Sequence, residues 1–405
     1  MGNNTVFRAG WGVFYNVVPF VYSLNFAQLP FALNEPSYTN PKTNPQVTLP
    51  RVFPATSTGG PSDVSIPAAQ NPNLLTPYNF QYNVTIEHQH WNTGFRLSYI
   101  GTAGRKGVYQ YNYNSPVVNS QLFVDKARPF GNYPEIDYVT NGGGHQYNGF
   151  TAAVTRQLTN GFYIQSSWTW ARDRYDCDYN WDFGTDMFQP ENPFNRAREI
   201  APAPDIPTHR FNTNWIYQMP FGRGRHFGAH MGRVANLLAG GWEISGIFST
   251  QTGMFITPFW TGPDPVGIAF TGSDPADVTL RPNILKNPNL SGGQQTVDQW
   301  FDISAFAPPT SGQFGTSAKG TIIGPGVNVW HMGFHKDFEF SEKARLRLEM
   351  TAVNIFNHPN WANPDTNISD DPGVGQITSA GGVTSGSVGD NATSRTWRFG
   401  ARLQF

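Results

Sequence analysis

Disulfide chemistry is the first thing this sequence lacks. Its 405 residues hold the single cysteine Cys177, which excludes a disulfide framework and a thiolate metal cluster. Charge is also scarce: Asp, Glu, Lys and Arg make up 14% of the chain, against roughly 25% in an average soluble domain. The formal net charge of −1 excludes the basic footprint that a nucleic-acid partner requires. No apolar run reaches the ~18 residues of a transmembrane helix. At the N-terminus, Met1-Gly2-Asn3-Asn4-Thr5 leads into an alternating segment without the basic and apolar regions of a secretory signal. Two readings follow: a cytoplasmic protein, or a fragment whose start is lost. In surplus are aromatics at 15%, with 42 Gly and 32 Pro, a composition that argues against disorder.

The aromatics are dispersed with period 2, the signature of strands whose side chains point alternately to two faces. From Arg395 to Phe405, Trp397, Phe399, Ala401, Leu403 and Phe405 share one face, while Arg398, Gly400, Arg402 and Gln404 share the other. From Ala344 to Phe356, Leu346, Leu348, Met350 and Ala352 oppose Arg345, Arg347, Glu349 and Thr351. Phe7 to Tyr15, Phe80 to Glu87, Phe95 to Tyr99, Phe150 to Thr155, Phe162 to Trp170, Arg210 to Tyr217, Trp242 to Ser249 and Val329 to His335 repeat the pattern. This predicts about ten strands, each near the 9–11 residues that cross a bilayer as β-structure.

The connections alternate in length. Asn92-Thr93-Gly94, Thr159-Asn160-Gly161 and Ser341-Glu342-Lys343 read as tight turns. Between them lie long Gly-, Pro-, Asn- and Ser-rich loops over 16–77, 103–146, 172–208, 255–325 and 357–394. The link 220–241 is the one long member of the short set. Long loops at one end, tight turns at the other and strands apolar on one face predict an all-β, antiparallel transmembrane β-barrel. Its tight turns would be periplasmic and its long loops extracellular. A secreted β-rich carbohydrate-binding or adhesion protein, built as a sandwich, is the alternative. It would bury the same stripes between two sheets.

Several segments carry a resemblance. Gly326-Val327-Asn328-Val329-Trp330-His331-Met332-Gly333-Phe334-His335-Lys336-Asp337-Phe338, continuing to Asn354-Ile355-Phe356-Asn357-His358-Pro359-Asn360, is similar to TonB-dependent receptor barrels of the Oar-like type, known beside carboxypeptidase-regulatory-like domains. Ser98-Tyr99-Ile100-Gly101-Thr102, Ser167-Trp168-Thr169-Trp170-Ala171-Arg172 and Thr208-His209-Arg210-Phe211 add to it in the right order. The resemblance implies a barrel of roughly 22 strands around an N-terminal plug, of which 1–405 is the C-terminal part, with plug and signal peptide absent. It implies an outer-membrane location and binding and import of an unidentified ligand. The implied partners are outer-membrane lipid, the barrel assembly machinery and the TonB energy-coupling complex, reached through the missing N-terminal part. Trp397, Phe399, Leu403 and Phe405 resemble the terminal assembly signal of such barrels. As part of a barrel, the chain would offer two open edges. It would then close imperfectly, dimerise by its edges or misfold.

Catalysis has no visible constellation: Gly-Xaa-Ser-Xaa-Gly, phosphate-loop and His-Glu-Xaa-Xaa-His motifs are all missing, so no enzyme is expected. No cofactor or metal is expected either. His331 and His335 on a strand sit about 13–14 Å apart, too far for one ion. Two weak ligand-binding candidates remain. Arg345, Arg347, Glu349, Arg398 and Arg402 line the polar wall of two neighbouring strands, as an electropositive lumen or, more simply, a mutually satisfied cross-strand ladder. Asp173, Asp176, Asp178, Trp181 and Asp182 cluster in a loop beside Cys177, suited to a polar ligand or, more simply, solvated and paired with arginines.

Overall fold

In the computed structural model, the described residues are 4–15, 68–131, 133, 136–176, 190–268, 280–340, 344–369, 372–381 and 394–405. Ten long strands form one sheet: β1 Thr5–Tyr15, β2 Tyr78–His90, β3 Thr93–Asn112, β4 Asp137–Thr159, β5 Phe162–Tyr175, β6 His209–Gln218, β7 Trp242–Gln251, β8 Val327–Glu339, β9 Arg345–Val353 and β10 Thr396–Gln404. Each pairs antiparallel with its sequence neighbours in an unbroken order from β1 to β10. Two short strands, Ala68–Gln70 and Ala201–Pro202, extend the sheet beside β4 and β5. Among the described residues, no ladder joins β1 to β10.

The register follows from the alternation. Phe7, Ile86, Leu97, Ala152, Trp168 and Phe211 stand side by side across β1 to β6. Phe162, Tyr217, Ile244, Phe334, Met350 and Phe399 do so across β5 to β10. A slip of one residue in any pair would turn a stripe onto the polar face, so the pattern itself specifies the pairing. These stripes face outward unburied: Trp11 is 71% exposed and Phe399 76%. A two-sheet sandwich would have buried them. The open stripes and the single continuous sheet fit an apolar solvent instead.

The turn at Asn160–Gly161 has positive φ at both residues (53° and 77°), the conformation that favours Asn-Gly in a two-residue hairpin. The β2–β3 turn falls at Trp91–Asn92, one residue earlier than Asn92-Thr93-Gly94 predicts, with Thr93 and Gly94 already paired to His90 and Gln89. Ser341-Glu342-Lys343 lies outside the described residues.

Both ends of the predicted loop 103–146 are strand. β3 runs to Asn112 and β4 starts at Asp137, beyond a bulged joint at Gly104, Gly107 and Gly143. The glycine run 142–144 masked this extension. Its buried row of Val108, Gln110, Asn112 and Val139 and its half-exposed tyrosines alternate once the bulge is allowed for.

The two hydrophobic clusters lie in the long connections. Phe301, Ala305, Phe306, Ile322 and Val374 form one cluster; Val266, Ile268 and Leu280 form a second, with Val118, Trp260 and Phe314 packed on it. The segments 113–131, 190–208, 252–268, 280–326, 354–369 and 372–381 thus build a compact body at the long-loop end. Two small ladders, Phe255–Ile256 with Ile322–Ile323 and Asn283–Ile284 with Phe306–Ala307, stitch it.

Candidate functional site

The face opposite the aromatic stripes is polar and continuous. Arg8, Thr85, Ser98, Thr151, Thr169, Arg210 and Gln251 are direct neighbours across β1 to β7. Their side chains link as well. Thr85 Oγ1 donates to Ser98 Oγ at 3.0 Å, the Thr151 and Thr169 hydroxyls lie 3.1 Å apart, and Arg210 Nη2 donates to Gln251 Oε1 at 2.7 Å. Two clefts open on this wall. One of about 370 Å³ is lined by Arg8, Asn83, Thr85, Glu87, Arg96, Ser98, Ile100 and Thr151; the other, about 460 Å³, lies between Glu87, Arg96 and Gln165. Arg8 forms an ion pair with Glu87. The surface is mostly hydroxyl and amide, so it offers many weak hydrogen bonds to a hydrated solute and no strong fixed field.

Charge gathers at β8 to β10. Asp337, on β8, holds both Arg345 and Arg347, the latter through Nε at 2.9 Å and Nη2 at 3.0 Å. This partner was invisible in the β9 pattern alone, because register places Asp337 opposite Arg347. Glu349 sits between His335 on β8 and Gly400 on β10. Arg402 stands directly opposite Arg347, and Arg398 opposite Thr351. No ion pair reaches Arg398 or Arg402 among the described residues. The ladder is therefore satisfied for two of the four predicted arginines, leaving the β10 pair open. Replacing Asp337 by Asn removes the bidentate acceptor and leaves two cations adjacent. We expect a loss of about 1–3 kcal/mol, read as a lower urea midpoint for refolded protein, and restored in part by also replacing Arg345 with Gln.

The acidic loop candidates separate. Asp176 is a latch: Arg196 donates to its Oδ2 at 2.8 Å, and the Gly144 amide to its Oδ1 at 2.6 Å. Arg196 also stacks 4.2 Å from the Tyr109 ring centroid. Asp173 lies near the end of β5, opposite Tyr147, and its buried Oδ1 has no hydrogen-bond partner among the described residues. Asp178, Trp181, Asp182 and Cys177 lie outside the described residues. Among the described residues, no three His, Cys, Asp or Glu side chains converge as a metal set. His88 and His90 stack in parallel at 6.4 Å.

Two buried charge sites in the loop body escaped sequence reasoning. Arg281, 1% exposed, donates to Glu191 through Nε (2.9 Å), Nη2 (2.5 Å) and its own amide (2.8 Å), and to Glu199 at 3.0 Å. Arg198 and Lys319 complete the cluster at 2.8 and 2.9 Å. Separately, the Lys126 ammonium donates to the carbonyls of Val117 (2.9 Å), Asn119 (3.2 Å) and Val266. Burial lowers the pKa of this lysine, an effect that the nearby Asp264 carboxylate partly offsets. Arg281 lies 82 and 90 positions from its carboxylates and Lys126 lies 140 from Val266, and nothing in their local pattern marks them as partners.

At the other end, Trp397, Phe399 and Leu403 lie beside Ala352, Met350 and Leu346 and, with Phe405, remain exposed on the outermost strand.

The family model of the outer membrane beta barrel domain matches residues 1–393. No curated protein matches. Among solved structures, the outer membrane transporter YddB from Escherichia coli is 9% identical, with 99% of this chain and 39% of that chain covered and a TM-score of 0.47. The ferric enterobactin receptor PfeA of Pseudomonas aeruginosa, as a mutant, is 10% identical, covering 100% and 38%, with a TM-score of 0.43. The ferric-catecholate import receptor Fiu from Escherichia coli K12 is 10% identical, covering 100% and 34%, with a TM-score of 0.40. The chain spans about two-fifths or less of the length of each of these.

Proposed function

Because the chain belongs to the outer membrane beta barrel domain family, its sheet is an outer-membrane sheet, and we propose that it serves as the barrel of an Oar-like TonB-dependent receptor that binds and imports a ligand. The observation that carries this reading is the polar wall running unbroken from Arg8 to Gln251, opposite a lipid-facing coat and beneath a packed body of long loops. A wall of this kind suits solute passage, and the body suits ligand capture from outside. The role involves no chemical step by the protein.

In this reading 1–405 is the C-terminal part of a larger barrel. Support comes from β1 and β10, whose outer backbone groups have no ladder partner among the described residues. Hydrocarbon does not tolerate such edges, which supports further strands beside them. Energy coupling to the TonB complex would then act through a part outside these residues. The open Arg398 and Arg402, with Glu349, would face the solute path, while Arg345 and Arg347 are occupied by Asp337. Asp173 would stand at its rim. The exposed stripe ending at Phe405 would be read by the barrel assembly machinery.

Uptake by cells carrying or lacking the gene tests the reading, using a library of labelled solutes with and without a protonophore. At least one solute is expected to accumulate only with the gene and an intact proton-motive force. Equal accumulation of every solute in both strains would overturn it.

A further inference from the structure

The connection between β6 and β7, residues 219–241, is long where the other links at its end are tight. Its length has no topological cause, since β6 and β7 are hydrogen-bonded antiparallel neighbours that two residues could join. Its composition is one-sided: Arg223, Arg225, Arg233, His226 and His230, with no Asp or Glu.

The segment is ordered yet wears apolar side chains outward. It holds a short helix α1, Arg233–Ala239, and a contact of Phe221 with Phe227, their rings 5.6 Å apart. The Arg223 amide donates to Asn236 Oδ1 at 2.7 Å, and Arg223 Nε to the Met231 carbonyl at 3.0 Å. Even so, Val234 is 73% exposed and Leu238 72%, with Phe221, Phe227 and the nearby Phe340 also open.

The segment is also fastened to the lipid-facing side of the sheet. Trp242 Nε1 donates to the Leu238 carbonyl at 2.9 Å. Lys336 shares the outward face of β8 with Phe334 and Phe338, donates to the Gly240 carbonyl and lies 5.4 Å from the Trp242 ring centroid. A cation on a lipid face is costly unless it meets a polar partner near the interface. Here the connection supplies that partner, beside the aromatic coat.

We propose that 219–241 is an interfacial anchor for anionic phospholipid in the leaflet at the turn end. Phe221, Phe227, Val234 and Leu238 enter the acyl boundary, and Arg223, Arg225 and Arg233 meet lipid phosphates. The argument rests on continuity with the lipid-facing surface and on charge complementarity. An apolar face with a basic flank lies in the interface plane, and each basic residue near an anionic surface strengthens the attraction.

The test uses the full chain, folded and reconstituted into phosphatidylcholine vesicles with or without phosphatidylglycerol. It carries Cys177→Ser and Leu238→Cys, with an environment-sensitive dye at 238. A blue-shifted emission, several-fold weaker quenching by aqueous iodide and strong quenching by headgroup-level doxyl lipid are expected, all enhanced by phosphatidylglycerol. Arg225→Gln and Arg233→Gln should each lower the docked-to-undocked ratio about fivefold in the anionic vesicles. Heat-modifiable gel mobility reports folding, and Val234→Cys serves as the label site if Leu238→Cys fails it. Emission and iodide quenching as in water, in both vesicle types, would overturn the anchor. Shielding that ignores phosphatidylglycerol and both arginine variants would overturn the anionic-lipid assignment, as would shielding that appears only when another protein is added.

Discussion

Replacing Arg281 by Met is expected to open the loop body while the sheet stays folded. The guanidinium is the shared partner of Glu191 and Glu199, both with side chains 1% exposed. Its removal leaves two buried carboxylates to Arg198 and Lys319, which touch one each. Breaking a buried charge cluster by deleting one partner costs about 3–5 kcal/mol. That is enough to loosen three segments that meet at this cluster: 190–202, 280–282 and 315–319. Limited proteolysis should therefore cut within 252–323 at a rate raised a hundredfold or more, with heat-modifiable mobility of the barrel unchanged. Unchanged proteolysis would show that the two hydrophobic clusters hold the body alone. Adding Glu191→Leu and Glu199→Leu should recover part of the loss, because the cost lies in unpaired buried charge and not in lost shape.

A second large effect is expected on β2, where neighbouring residues face opposite media. Val84 lies in the outward stripe, between Ala9 and Tyr99. Asn83 lies one residue away on the polar wall, where it lines the cleft of about 370 Å³. Val84→Lys should cost about 2–4 kcal/mol in vesicles if the position is near the bilayer midplane. Asn83→Lys should stay within about 0.5 kcal/mol, as a solvated substitution does. Equilibrium urea unfolding in lipid vesicles measures both. Equal losses at the two positions would contradict the assignment of faces.

Both expectations show how far the sequence reaches. The alternation that marks Val84 as outward and Asn83 as inward is local, so it is readable residue by residue. The same holds for the Asn160–Gly161 turn. Where a bulge interrupts the alternation, at Gly104 to Gly107 and Gly142 to Gly144, local reading fails and a paired extension looks like loop. The Arg281 cluster fails for a different reason. Glu191, Glu199, Arg281 and Lys319 carry no period and no motif, and loops of this composition read as solvated. Asp337 is intermediate: it was visible on its own strand, but only the β8–β9 register brings it to Arg345 and Arg347.

The scarcity of charge and the dispersed aromatics noted at the outset thus divide cleanly. By itself the sequence determined the all-β class, the two faces of each strand, the long and short ends and the order in which strands pair. It could do so because side-chain period and turn chemistry act over two to four residues. Only the tertiary structure decided that the long connections form a cored body, which carboxylates the arginines meet, and that the basic link 219–241 lies against the lipid-facing side. Most of those contacts join different strands or loops, some more than eighty positions apart, and their energies come from burial and pairing that no local pattern encodes.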